Sequence, residues 1–266
     1  MRRLLWRVAD FGGVVAAAGL ASFVLVPLLA LALAGDGSSV GLALLSAPAL
    51  AALRVSLLSA SISTLVIVAC GTPLAWWLAQ SRRRSARVLS VVLRAPLAMP
   101  PAAAGIALIL AFGRRGWIGQ HLDNAGFSLS FTLAAVVLAQ TFVAAPFYLQ
   151  GAKSAFERLP KATIEAAQVM MQSESRSLWR VAVPAVRLQL VGAATLSWGR
   201  ALGEFGATLL FAGSLAGVTR TLPLAIYAAF EDDMAVARAL SLWLVLVAMI
   251  TMAAAGFATR VRTDDD

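Results

Sequence analysis

Apolar runs without charge recur along this chain, separated by short segments dense in arginine. A bilayer core about 30 Å thick takes roughly 20 helical residues to cross. Residues 11–35, 55–81, 125–152 and 239–259 satisfy that length. The run 95–113 is shorter and carries Pro96, Pro100 and Pro101, and the run 188–218 is interrupted by Arg200 and Glu204. Six spans are predicted, at about 12–34, 55–80, 95–113, 129–151, 188–213 and 236–258, in a single transmembrane domain covering 1–266. Inside lipid every backbone donor and acceptor must be satisfied within its own segment, so the spans are read as helices. The two-residue alternation of barrel strands is absent. The predicted fold class is all-α integral membrane.

Composition agrees and narrows the picture. The chain is 60% apolar and 13% charged, against about 45–50% and 25% in soluble domains. Disorder, fibrous repeats and disulfide scaffolds are excluded on the same grounds. Cys70 is the single cysteine, so neither an internal disulfide nor a cysteine metal cluster forms within one chain. The net charge of +9 invites a nucleic-acid reading, but its placement argues against one. With the N-terminus inside, most lysines and arginines fall in the N-terminus, 82–94, 153–187 and the C-terminus. That bias is a topology signal, with both termini cytoplasmic in the cell membrane. Arg54, Arg114, Arg115 and Arg220 are external on this scheme. The first span reads alternatively as a cleavable leader, with Ala32-Leu33-Ala34 before Gly35, although its apolar run exceeds the usual 7 to roughly 15 residues.

The longest polar connection, 152–187, is predicted to form two short amphipathic helices. Pro160 breaks the chain after Phe156 and Leu159, and a helix starting near Thr163 carries Ile164, Ala167 and Met171 on one face. Ser173 stands as an N-cap, with Glu174 in the first turn where the helix dipole favours negative charge. Leu178, Trp179 and Val181 follow, and Pro184 ends the run. An apolar ridge bordered by charges suits a groove on a soluble partner. A connector lying on lipid headgroups fits the spacing equally well.

Glu165-Ala166-Ala167 and, at the matching distance, Val181-Ala182-Val183-Pro184 resemble the EAA loop of ATP-binding-cassette importer permeases. The resemblance implies the type I importer permease fold and a coupling helix docked in an ATPase. It would use Ile164, Glu165, Ala166, Ala167, Met171, Ser173, Trp179 and Pro184. That family usually has glycine at the position of Met171. A turn with positive φ is costly there for other residues, so the turn is predicted to shift toward Gln172 or to keep negative φ at Met171.

Arg200 and Glu204 lie within the fifth apolar run, four apart. Buried alone, each is expensive, so each needs a partner or a wet surface. If the helix is continuous, one face collects Ser197, Arg200, Glu204 and Thr208. Gly192, Gly199, Gly203 and Gly206 on the neighbouring face would admit another backbone. Two readings stand: a pathway or gate, and a purely structural pair.

The segment 200–208 with Phe211-Ala212-Gly213, the stretch 219–227, and Pro96, Pro100 and Pro101 followed by Phe112-Gly113-Arg114 are similar to molybdate-type permeases. The likeness implies a homodimer, two cytoplasmic ATPase subunits, and a periplasmic or lipid-anchored binding protein that delivers an oxyanion. Membrane lipid is the surrounding partner. The chain itself would hold no cofactor; ATP and Mg would sit on the partner ATPase. A dianion in a low-dielectric pore is costly, so neutral donors are expected along its route. These are Ser197, Thr208, Thr141, Gln140 and backbone near Pro100 and Pro101. Glu204 would be held by Arg200 or line a gate. Arg114 and Arg220 would dock the binding protein or draw the anion to the outer mouth.

Other oxyanions, sulfate especially, and a self-sufficient secondary transporter are the competing readings. No glycine-rich phosphate loop occurs, and no acid pair stands near a nucleophile. Glu231, Asp232, Asp233 and the acidic run at 264–266 read as solvated, His121 as solvent-facing, and Cys70 as packing. Trp6, Trp76, Trp77 and Trp117 read as interface anchors.

Overall fold

The computed structural model describes residues 2–33 and 45–260. The alternative cleavage position before Gly35 and the acidic run at 264–266 lie outside these residues. The described residues are helical, without strands. In order they form α1 (Arg2–Leu33), α2 (Ala47–Gln80), α3 (Arg84–Val92), α4 (Ala95–Ala98) and α5 (Pro101–Phe112). Next come α6 (Gly119–Asn124), α7 (Leu133–Glu157), α8 (Lys161–Met171) and α9 (Glu174–Ala185). Last are α10 (Arg187–Leu202), α11 (Gly206–Ala212), α12 (Leu222–Asp232) and α13 (Met234–Arg260).

Four helices are long and apolar enough to cross a membrane: Gly13–Leu33 of α1, α2, α7, and Met234–Ala253 of α13. Two bent pairs raise the number to as many as six. The predicted third span, 95–113, is not one continuous helix. Met99 and Pro100 are extended, and α5 starts afresh at Pro101, after a bend of 119° from the preceding helical stretch. A residue before proline is pushed out of the helical region, and two consecutive prolines remove two ladder donors. What remains is 12 residues, about 18 Å of helix. The predicted fifth span, 188–213, is also interrupted, between α10 and α11.

Helices in lipid gain nothing from the hydrophobic effect against one another, so they associate through small residues and interhelical hydrogen bonds. The seam of α2, α7 and α10 has both. Ala60, Ala75, Ala144, Ala152 and Ala201 are fully buried there. Ser63 Oγ donates to Gln140 Oε1 at 3.1 Å, Thr72 and Tyr148 share a 2.6 Å hydroxyl pair, and Ser197 Oγ donates to the Ala144 carbonyl at 3.0 Å. At the inner end Trp76 is buried edge-on against Phe156, with ring centroids 5.4 Å apart. It is therefore core, not the interface anchor expected; Trp77 and Trp117 are exposed. Cys70 is also exposed and does not pack inside the chain as expected. A second cluster joins α5, α7 and α11, and a third joins the start of α2 to α12 and α13. There Ser56 Oγ accepts from the Leu222 amide at 2.7 Å. The Gly13–Leu33 stretch of α1 buries none of its side chains, and α1 touches the bundle at α13.

α7 and α10 approach closely at Gly151, where an added Cβ would stand 2.7 Å from Ala193 Cβ. Gly151→Val is expected to cost about 1–3 kcal/mol by overpacking. The measurement is the thermal midpoint in detergent, with Gly192→Ala, which meets open space, as the control that stays unchanged.

Candidate functional site

The long connection between α7 and α10 builds from the end of α7. Pro160 occupies the N-cap of α8, whose Ile164 and Ala167 turn inward. Ile164 joins the core cluster of Trp76, Phe156, Leu178 and Ala182. Ser177 Oγ bridges the two short helices, 3.1 Å from the Ala167 carbonyl and 3.0 Å from that of Ser173. The expected ridge of Ile164 and Ala167 therefore anchors the loop to the bundle and is not presented; Met171 is half-buried. The outward face carries Glu165, Ala166, Val169 and Met170, and Trp179 is exposed on α9. Val169 and Met170, each 77% exposed, were not singled out from sequence. α8 is apolar on both sides, and period alone does not say which side is buried.

Gln172 takes the left-handed conformation, with φ 50° and ψ 22°. The turn has moved one residue past Met171, which stays helical. Ser173 holds the N-cap position of α9 in extended conformation but makes no side-chain cap. Pro184 does not end the helix. A π turn over Leu178–Ala182, in which the Val183 amide donates to the Leu178 carbonyl, precedes it. Proline lacks a donor and crowds the carbonyl four residues back, and a π turn is one way to accommodate that. The helix runs to Ala185, and the chain then bends 83° into α10.

Arg200 and Glu204 do not share a continuous helix. α10 ends at Leu202, and residues 203–205 are non-helical. The two side chains still meet: Arg200 Nη1 lies 2.7 Å from Glu204 Oε2. Glu204 is 1% exposed and Arg200 30%. The other carboxylate oxygen, Oε1, accepts from the Ala207 amide at 2.9 Å, inside the first turn of α11. Beside this break, Gly206 lies against Pro101; an added Cβ would be 2.5 Å from Pro101 Cβ. Of the four glycines expected to admit a neighbour, Gly206 alone does so closely; Gly192, Gly199 and Gly203 face space or distant atoms.

The continuous polar stripe of Ser197, Arg200, Glu204 and Thr208 is thus absent. Ser197, Gln140 and Thr208 are fully buried within the chain. Gln140 Nε2, Thr141 Oγ1 and Thr208 Oγ1 are buried without a hydrogen-bond partner. Pro100 and Pro101 are exposed.

At the outer end, Arg114 Nε donates to Ser128 Oγ at 3.1 Å and stands 3.7 Å from Asp123 Oδ1. Arg220 is pinned on Ser214, through Nε to Oγ and Nη2 to the carbonyl, both 3.2 Å. Two cavities flank the turn that holds Arg220. One, of about 450 Å³, is lined by Ala52, Arg220, Ala225, Asp232, Asp233 and Val236 among others. The other, of about 330 Å³, is lined by Arg54, Val55, Leu58, Leu133, Gly217 and Val218, with Ala51 at its edge. Among the described residues no cluster of His, Cys, Asp or Glu has metal-holding geometry; His121 is exposed.

Residues 71–262 match the family described as "Binding-protein-dependent transport system inner membrane component". The chain belongs to this family. Within it, the chain is 42% identical over 243 residues to the molybdenum transport system permease protein ModB of Mycobacterium tuberculosis, covering 91% of this chain and 92% of that one. It is 30% identical over 181 residues to the sulfate transport system permease protein CysW of Synechococcus elongatus, covering 68% and 63%. In shape it matches a chain of a bacterial ABC transporter involved in the import of the acidic polysaccharide alginate, with a TM-score of 0.73 at 15% identity, covering 97% and 99%. The fold is that of the type I ABC importer permeases, and the chain is a multi-pass membrane component of a transport system.

In this permease the Arg200–Glu204 pair is a structural unit. Arg200→Met leaves a buried carboxylate uncompensated, at an expected cost of about 3–5 kcal/mol. The double variant Arg200→Met with Glu204→Gln should recover much of that loss. Thermal unfolding of the four proteins of the cycle in detergent reads the coupling; strictly additive losses would contradict the assignment.

Proposed function

We propose that this chain is the membrane-spanning permease of an ATP-driven importer for molybdate, with tungstate, an equally charged tetrahedral dianion, as a second substrate. The observation that carries the reading is the 42% identity to a molybdenum permease along nearly the whole length of both chains. The lower identity and shorter coverage toward the sulfate permease rank sulfate behind it. A self-sufficient secondary transporter has no support from the family match.

In this reading two copies of the chain enclose the pathway, with both termini cytoplasmic and lipid around the outer helices. Two ATPase subunits bind ATP and Mg from the cytoplasm, and an external binding protein delivers the anion. The coupling contact is the outward face of α8: Glu165, Ala166, Val169 and Met170, with Trp179 beside it. Ile164 packs that handle into the cluster of Trp76 on α2 and Phe156 on α7, and Ser177 holds α8 and α9 together through the Ala167 carbonyl, so a pull on it reaches the spans without slack. Nucleotide binding on the partner favours one of two arrangements of the bundle, and transport is the resulting shift in population.

The charge arrangement supports an anion as cargo. Glu204 is neutralised by Arg200 and by the start of α11, so it presents no free negative charge. A weakly polar route avoids holding a dianion that must leave again. Pro100, Pro101 and the break at 203–205 lie against each other through Gly206. Two interrupted helices in contact make a joint at which the pathway can open, and Gln140, Thr141, Ser197 and Thr208 would become accessible there.

Two measurements test this. In liposomes holding the permease, its ATPase and its binding protein, molybdate and tungstate should stimulate ATP hydrolysis, with sulfate well behind; stimulation by sulfate alone overturns the substrate assignment. Val169→Asp with Met170→Asp should abolish co-purification of the ATPase while the permease stays inserted and folded. Ala167→Leu, on the buried face, should lower the thermal midpoint instead.

A further inference from the structure

The outer face carries four arginines among the described residues whose surroundings differ in kind. Arg114 is paired with Asp123 and Ser128, and Arg220 is pinned on Ser214. Arg115 is exposed and lines neither outer cavity. Arg54, on α2, makes no hydrogen bond or ion pair to the described residues and lines the 330 Å³ cavity.

We propose that Arg54 is the receiving cation for the oxyanion at the outer mouth, in place of the expected Arg114 and Arg220. The proposal rests on the importer reading above. Three observations carry it. First, among the described residues Arg54 is the cation of this cavity and no acidic side chain lines it; the neighbouring 450 Å³ cavity bears Asp232 and Asp233, which repel a dianion. Second, the other walls are Val55, Leu58, Leu133 and Val218. Apolar walls of low dielectric concentrate the field of a single charge. Third, the wall supplied by Gly217 and Val218 is rigid. The amides of Val218, Thr219 and Arg220 all donate to the Leu215 carbonyl, at 3.1, 3.0 and 2.9 Å, and Thr219 Oγ1 accepts from the Leu215 amide at 2.9 Å. At about 30 Å³ per water the cavity volume admits a tetrahedral anion with part of its hydration. A guanidinium offers paired donors that suit such an oxyanion.

The same chemistry would bind the net-negative headgroup of an acidic phospholipid, so the test separates the two. The complete complex, with ATPase and binding protein, is reconstituted in phosphatidylcholine vesicles with and without phosphatidylglycerol, and molybdate uptake is followed. Arg54→Gln should slow uptake roughly three- to tenfold in both vesicle types. The deficit should shrink as salt screens the wild-type charge. Arg54→Lys should keep most of the rate, and Arg115→Gln should match wild type. An Arg54→Gln rate equal to wild type overturns the proposal. So does a defect confined to vesicles containing phosphatidylglycerol, which would assign Arg54 to headgroups. Weaker co-sedimentation of the binding protein with Arg54→Gln would assign it to that partner and overturn the proposal too. If Arg54→Gln fails to assemble, Arg54→Cys in a Cys70→Ser background is labelled after reconstitution. A cationic thiol reagent should restore uptake and an anionic one should not; equal rates overturn the proposal. A wild-type complex that takes up none of the tetrahedral oxyanions defeats the importer reading itself, a distinct result.

Discussion

The Glu204 carboxylate receives the Arg200 guanidinium on one oxygen and the Ala207 amide on the other, and the passage of the fifth span through its own interruption depends on those two contacts. Three residues leave the helix at 203–205, and backbone in that state survives at membrane depth where protein satisfies it. Glu204 does part of this by capping the new helix, and Arg200 makes the cap tolerable by cancelling its charge. Gly206, free of a Cβ, then lets α11 settle on Pro101 at the head of α5. The ion pair, the helix break and the contact between the two broken spans form one structural unit.

The loop between α7 and α10 shows the complementary arrangement. Its buried face is continuous with the core through Ile164, Leu178 and Ala182, and its exposed face is a short apolar strip around Val169 and Met170 with Glu165 nearby. A small helix with one face fastened inward and the other left bare is suited to pass on a displacement. The fastening matters as much as the bare surface, because a loop tethered only at its ends would absorb the pull.

Much of this fold was legible in the residue pattern. Uncharged runs of membrane-spanning length located α1, α2, α7 and α13. Pro100 and Pro101 marked one break, before α5, while Gly203 after α10 reads in the sequence only as part of a face that admits another backbone. Their consequence was underestimated, since a short apolar run reads as a span whether or not its backbone is straight. The ion pair was legible from the spacing of Arg200 and Glu204, and its capping of α11 was not, because the cap needs the break. Which face of α8 turns inward depends on Trp76, far away in sequence, as well as on nearby Phe156. Gln140, Thr208 and Ser197 looked like pathway donors because they are polar in apolar runs. In this conformation Ser197 and Gln140 also bond to neighbouring helices, and Thr208 is buried. At the outer end, spacing cannot tell a committed arginine such as Arg220 from an uncommitted one such as Arg54.

The π turn at Leu178–Ala182 fixes a phase relation. Each helical residue turns the chain by about 100°, so one extra residue swings everything downstream by that angle without lengthening the connection much. Ser177, bonded to α8 just before the turn, and Val186, in the core cluster just after it, are both buried. Removing a single residue from this turn would leave the composition and apolar content of the loop almost unchanged, yet it would point α10 into the bilayer along the wrong azimuth. The tolerance of this stretch to insertions and deletions is therefore set by rotation, not by length.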